Sequence, residues 1–189
     1  WTRAMLDASR MRHAPEAERV VVAIDPPVSS GESADACGIV VAGRRDDQAY
    51  VLADRSVQGA SPHGWAQATL QALRDFNADR IVAEVNNGGA LVESLFRSLD
   101  AAVPYRAVRA SHGKVARAEP VAALYERGLV HHVGAFPALE DELCALVPGA
   151  PYAGPGRSPD RADALVWALT DLMLRKTATP GIRDLTRQG

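Results

Sequence analysis

Apolar and polar positions along this chain alternate between short β-branched runs and stretches of helical period. Residues 20–24, Val-Val-Val-Ala-Ile, form a buried-strand pattern. Asp25 ends the run, and Pro26 and Pro27 prevent its continuation. Residues 37–42 predict a second strand, residues 44–47 (Arg-Arg-Asp-Asp) a turn, and residues 49–57 a third strand. Their short connections favour an antiparallel meander. Ser61 and Pro62 then open a helix whose apolar stripe is Trp65, Leu70, Leu73 and Phe76. Residues 80–85 predict a fourth strand, interrupted by Glu84. After a loop at residues 86–89, Leu91, Val92, Leu95, Phe96 and Leu99 mark another helix. Residues 105–108 predict a fifth strand, and residues 119–127 a helix with Gly128 at its C-cap. A short extended piece at 129–133 and a helix at 137–147 follow. A Gly- and Pro-rich loop at 148–159 leads into the last helix, which starts at Ser158 and Pro159 and runs to about residue 175.

Three strands, helix, strand, helix, strand and then helices predict an α/β fold with a mixed sheet flanked by helices. A three-strand antiparallel meander followed by parallel strands is the ribonuclease-H-like order. Residues 1–19 carry arginines and little periodicity, so they are expected to be a helical or irregular lead-in, or a linker to something upstream. Residues 20–175 form the expected domain, and residues 176–189 a frayed tail. The first residue is Trp1 rather than Met, which suggests a piece of a longer protein.

With 189 residues, 47% hydrophobic and 23% charged, the chain can bury one large core, which excludes wholesale disorder. No apolar run approaches the ~18 residues of a membrane helix. Cys37 and Cys144 stand far apart and form neither metal-ligand spacing nor a disulfide framework, so a reducing cytoplasm is the expected setting. The net charge of −2 excludes a domain that coats nucleic acid by bulk charge, but not a nuclease with its own carboxylates.

The candidate chemistry is acidic. Asp25 ends the first strand and Glu84 lies near the end of the fourth. If these strands are parallel neighbours, both carboxylates emerge at the sheet edge where α/β folds carry their sites. Asp160 and Asp163 share a face of the last helix. Asp163 borders the stripe Leu165, Leu169 and Leu172, so it should point toward the sheet. Clustered carboxylates repel each other, and a divalent cation relieves the repulsion. Hard oxygen ligands favour Mg²⁺ or Mn²⁺. Two such ions about 4 Å apart can activate water and stabilise the leaving oxygen of a phosphodiester. Each acid also has a plainer reading: Asp25 as a turn former, Glu84 as a sheet-edge ion pair, Asp160 as a helix N-terminal charge.

The acids sit in three of four segments that belong together: 21–27 (Val-Val-Ala-Ile-Asp-Pro-Pro), 83–89 (Ala-Glu-Val-Asn-Asn-Gly-Gly) and 158–169, which opens Ser-Pro-Asp-Arg-Ala-Asp, with 114–121 (Lys-Val-Ala-Arg-Ala-Glu-Pro-Val) as the fourth. Together they resemble the C-terminal nuclease domain of the large terminase subunit, the DNA-packaging motor of tailed phages, prophages and gene transfer agents. The resemblance implies a metal-dependent endonuclease that cuts concatemeric double-stranded DNA with little sequence preference, in the cytoplasm of a bacterial host. It implies Asp25, Glu84 and Asp163 as catalytic metal ligands, with Asp160 assisting. It also implies an N-terminal packaging ATPase domain, from which residues 1–19 would be the linker, a portal protein and a small terminase as partners, and no membrane. No G-x-x-x-x-G-K-[ST] motif occurs, so the motor itself is absent from this chain.

Lys114 and Arg117, before the predicted helix at 119, are candidates for DNA phosphates, as are Arg106 and Arg109. Asn86 could orient substrate, with Asn87 beside it, although turn formation explains both equally. His131 and His132, adjacent on a strand, point to opposite faces and cannot ligate together. Trp65 and Trp167 fit core positions better than base-stacking ones. Two other readings stay open: a junction resolvase or ribonuclease H, and a non-catalytic module that docks on portal or small terminase.

Overall fold

A computed structural model describes residues 1–27, 36–85, 89–111 and 113–175. The described strands are β1 (Arg10–Met11), β2 (Arg19–Asp25), β3 (Gly38–Arg45), β4 (Gln48–Asp54), β5 (Arg80–Glu84), β6 (Tyr105–Val108) and β7 (Val130–Val133). They form one sheet in the order β1-β7-β4-β3-β2-β5-β6. β2, β3 and β4 pair antiparallel, and β5 joins β2 in parallel, with β6 parallel beyond it. This is the ribonuclease-H-like mixed sheet that the element order predicts.

Strand alternation divides the core between the two faces. Val22 and Ile24 of β2 point to one face, where they meet Ile81, Trp65 and Phe96. That face is covered by α2 (Pro62–Asp75) and α3 (Gly89–Leu99). Val21 and Ala23 point to the other face and meet Val82, Trp167, Ala168 and Leu172. Here lie α4 (Lys114–Glu126), α5 (Pro137–Ala145) and α6 (Asp160–Leu169). Fully burying each Ile, Leu or Phe of these layers contributes about 1.5–3 kcal/mol. Asp25 and Glu84 continue the register of Ala23 and Val82, so both carboxylates belong to the α6 face.

Three elements differ from the sequence reading. Residues 1–19 contain α1 (Arg3–Ala8), within the expected helical or irregular lead-in, and also β1, which was not expected and pairs in parallel with β7. A two-residue strand carries no periodicity, and its partner lies more than a hundred residues away. Leu6 is fully buried, and Arg10 donates to buried Glu140 at 2.7 and 2.8 Å. α4 begins at Lys114 rather than at 119, with Pro120 inside it. Proline favours a helix's first turn, which is why the sequence suggested a later start. The last helix is α only to Leu169 and continues as a π-helical turn, Thr170–Leu174. Gly128, with φ +68°, follows α4 in the left-handed conformation expected of its capping position. Residues 176–189 lie outside the described residues.

Candidate metal centre

The site forms where β2, β5, α6 and α4 meet. Register brings Ile24 beside Ala83, so the neighbouring strand ends Asp25 and Glu84 lie side by side. On the other side of β2, Asp25 pairs with Gly38. A Cβ at Gly38 would fall 1.9 Å from the Asp160 carbonyl oxygen. Only glycine lets the start of α6 rest on β3 at this distance, and that contact puts Asp160 and Asp163 beside Asp25.

α6 has no side-chain cap of its own, because Pro159 occupies the N-cap position. Glu142 of α5 supplies the cap. Its Oε2 accepts from the backbone N–H groups of Arg161 at 2.8 Å and Ala162 at 3.0 Å. Its Oε1 accepts from Arg161 Nη1 at 2.9 Å. Satisfying these orphan donors fixes the end of the helix that carries both aspartates. This residue was missed in the sequence, because a cap borrowed from another helix has no local spacing.

Four carboxylates then face two cations from α4. Lys114 Nζ lies against Asp163 Oδ2, stands 3.8 Å from Asp25 Oδ2, and donates to Ser158 Oγ at 2.8 Å. Arg117 bridges two acids, donating from Nη1 to Glu84 Oε1 at 2.9 Å and from Nη2 to Asp163 Oδ1 at 3.1 Å. Its guanidinium lies 5.0 Å from the centre of the Trp167 ring. Trp167 Nε1 donates to Glu84 Oε2 at 2.5 Å. Trp167 therefore packs in the core as its spacing suggested, and also holds one oxygen of a site carboxylate. One turn after Asp163 on α6, it was within reach of the sequence pattern, but nothing in the sequence identified Glu84 as its partner.

Burial and the neighbouring Asp163, Glu84 and Asp160 charges push the Asp25 carboxyl well above its ordinary range, against the pull of Lys114. Burial also raises Asp163, in spite of Lys114 and Arg117. Burial alone would lower the Lys114 ammonium; Asp163 and Asp25 raise it instead. The cluster is thus short of positive charge.

As the side chains stand, no three acid, thiol or imidazole groups among the described residues close around a common point. The charge between them comes from Lys114 and Arg117. The donor set nevertheless fits a hard divalent cation: the groups are carboxylate oxygens, mutually repelling and partly buried. Lys114, 41% exposed, already places one cationic atom between Asp25 and Asp163.

The structure brings Asp25, Glu84, Asp163, Lys114 and Arg117 together. Lys114 and Arg117 lie within the first turn of α4 rather than in a loop before it. Asp160 is buried at the start of α6. Arg109 is exposed just beyond β6 and makes no contact with this cluster in the bonds above. Asn86 and Asn87 lie outside the described residues. His132 is fully buried and bonds Tyr125 and Glu140, whereas His131 bonds Gln48, so the two do separate to opposite faces.

A family model for the terminase RNaseH-like domain matches residues 22–172. No curated protein sequence matches the chain. Among solved structures, the large terminase nuclease of thermophilic phage G20c with bound magnesium is similar at TM-score 0.65 and 15% identity, over 85% of each chain. The large terminase of a second thermophilic bacteriophage is similar at TM-score 0.64 and 12% identity, over 89% of this chain and 44% of that one. The chain thus spans less than half the length of that large terminase. The human cytomegalovirus terminase nuclease domain, manganese-soaked and inhibitor-bound, is similar at TM-score 0.56 and 14% identity, over 80% of this chain and 82% of that one. These likenesses concern the fold; the family match covers most of the chain together with Asp25, Glu84, Asp160 and Asp163, and this chain belongs to the terminase ribonuclease-H-like domain family.

Proposed function

We propose that this chain is the endonuclease domain of a large terminase. It hydrolyses phosphodiester bonds of concatemeric double-stranded DNA during genome packaging, with little sequence preference. The observation that carries this reading is the convergence of Asp25 and Glu84, from parallel neighbouring strands, on Asp163 of α6. That the solved relatives include magnesium-bound and manganese-soaked nuclease domains supports it.

Asp25, Glu84, Asp160 and Asp163 would hold two Mg²⁺ or Mn²⁺ ions. Divalent ions held there supply water activation and stabilise the oxygen that departs. The chain's own residues prepare the site. Trp167 holds one oxygen of Glu84 and so fixes its orientation. Lys114 and Arg117 compensate the acids until stronger cations replace them, and are then available to the phosphates of DNA. Asn86, two residues past Glu84 in the sequence, is a further candidate for binding DNA. Cleavage leaves 5′-phosphate and 3′-hydroxyl ends. The domain works with an N-terminal packaging ATPase, a portal protein and a small terminase.

Plasmid nicking and linearisation in Mn²⁺, Mg²⁺ or chelator tests the reading, with wild type beside Asp25→Ala. Metal-dependent cutting of duplex plasmid, lost in the variant, is the expected result. Full activity of Asp25→Ala, or a wild type that binds no divalent ion by calorimetry, overturns it. Preference for four-way junctions or RNA–DNA hybrid over duplex would reassign the substrate.

A further inference from the structure

The sheet face that carries Glu84 holds a second charged site, built around Asp171. Asp171 lies on the π-helical turn after α6, a geometry frequent at functional positions. Its side chain is only 1% exposed, yet three arginines converge on it. Arg80 of β5 donates to Oδ2 at 2.8 and 3.1 Å. Arg106 of β6 donates to Oδ1 at 2.9 Å, and Arg175 stands 4.0 Å from the same oxygen. Arg106, Arg175 and Asp171 line a cleft of about 340 Å³ together with Arg109, Thr170 and Trp167. One carboxylate therefore faces three guanidinium groups, and a fourth, Arg109, lines the same cleft. An ion pair built only for stability needs one or two, and the surplus positive charge favours an anion in the cleft.

The cleft shares a wall with the carboxylate site. Trp167 lines it and donates to Glu84 from the same ring. Val108 pairs with Glu84, and Arg106 lies two residues back along β6, about 7 Å away. A DNA strand carries one phosphate per about 3.4 Å of helix axis, so this distance is about two nucleotides. Guanidinium forks match phosphate oxygens in geometry as well as charge. β6 is the sheet's edge strand, which leaves the cleft at the rim of the fold.

We propose that this cleft seats the phosphodiester backbone of the strand being cut, about two nucleotides from the scissile bond. Asp171 is a positioning residue that aims the Arg80 and Arg106 forks, and Arg109 and Arg175 reach the phosphates. The proposal rests on the nuclease reading and names the path of its substrate.

The test is duplex binding by fluorescence anisotropy in chelator across a salt series, with two unrelated sequences. Arg109→Ala is expected to weaken binding about three- to tenfold at low salt and to lower the salt slope by about one, equally for both sequences. Arg109→Glu weakens it further, and Arg109→Lys restores most of the affinity. Mn²⁺ binding without DNA stays at the wild-type value in all three variants, which an unfolded variant would not show. Unchanged affinity and slope in both Arg109→Ala and Arg109→Glu overturn the proposal, as does a wild type that binds no duplex. If affinity is unchanged while metal-dependent plasmid cutting persists, the cleft falls and the nuclease reading stands. If the variants lose affinity but the wild type never cuts, the cleft stands and the nuclease reading falls.

Discussion

Arg117→Met removes the guanidinium that bridges Glu84 and Asp163. Glu84 and Asp163 have side chains only 6% and 2% exposed, and each accepts one hydrogen bond from this guanidinium. Removing one partner of a buried ion pair costs about 3–5 kcal/mol. Trp167 still holds Glu84 and Lys114 still faces Asp163, which places the loss near the lower end. In a chain of this length each kcal/mol moves Tm by about 2–4 °C, so a metal-free loss of about 3 kcal/mol lowers it by about 6–12 °C. Mn²⁺ at a hundred times its Kd adds about 2.7 kcal/mol to any form that binds it. In the variant no guanidinium has to leave first, so Mn²⁺ binds it more tightly and stabilises it more than wild type. The gap in Tm should shrink by at least half in saturating Mn²⁺. It should also be wider at pH 8 than at pH 5. Asp25 and Asp163 are raised above their unfolded values, so the folded chain keeps protons that the unfolded chain releases, and metal-free stability falls as pH rises through the folded values. Thermal unfolding followed by circular dichroism, in chelator and in Mn²⁺, reads all three quantities. A gap identical with and without metal, or no gap in chelator, would refute the view that Arg117 stands in for missing cationic charge.

Gly38→Ala drives a Cβ into the Asp160 carbonyl, so α6 must shift; expected are a loss of about 1–3 kcal/mol in urea unfolding and weaker Mn²⁺ binding by calorimetry. Trp167→Phe keeps a ring under Arg117 but removes the donor to Glu84, and should weaken Mn²⁺ binding by about 10–100-fold and cost about 1–3 kcal/mol of metal-free stability; unchanged affinity would limit the indole to packing. His132 and Glu140 contribute acid losses of the opposite sign to Asp25 and Asp163, in two stages, read as the difference in Tm against pH between wild type and variants of each residue. Burial lowers His132 in the fold, so its contribution fades as pH falls below about 6.5 and the unfolded ring gains a proton first. Burial works against Glu140, yet Arg10, the Phe136 N–H and His132 hold it at about 2, so its contribution is present above the ordinary Glu range and disappears as pH falls toward 2. A Glu140→Gln chain should lack the second stage.

The sequence by itself determined the frame and the acids. β-Branched runs such as residues 20–24 are short-range signals, and so is a carboxylate at the end of one. Asp25 and Glu84 were therefore legible as strand-end acids, and Asp163 as an acid on the buried side of its helix. The fold order followed from counting elements; that the strands bearing Asp25 and Glu84 are parallel neighbours was a condition that the sheet pairing meets. Tertiary structure alone decided what compensates these acids. Arg117 and Lys114 read as candidates for DNA phosphates rather than as partners of the acids, because those acids lie far away in sequence, on β2, β5 and α6. The same holds for Glu142, which caps α6 from α5, and for Gly38, whose missing side chain matters only because Asp160 rests on it. The pairing of β1 with β7 and the three arginines around Asp171 are likewise long-range. Periodicity records which face of an element is apolar. It does not record which charge from another element meets a buried charge, because that depends on the closing of long loops and on the cost of leaving either charge unpaired.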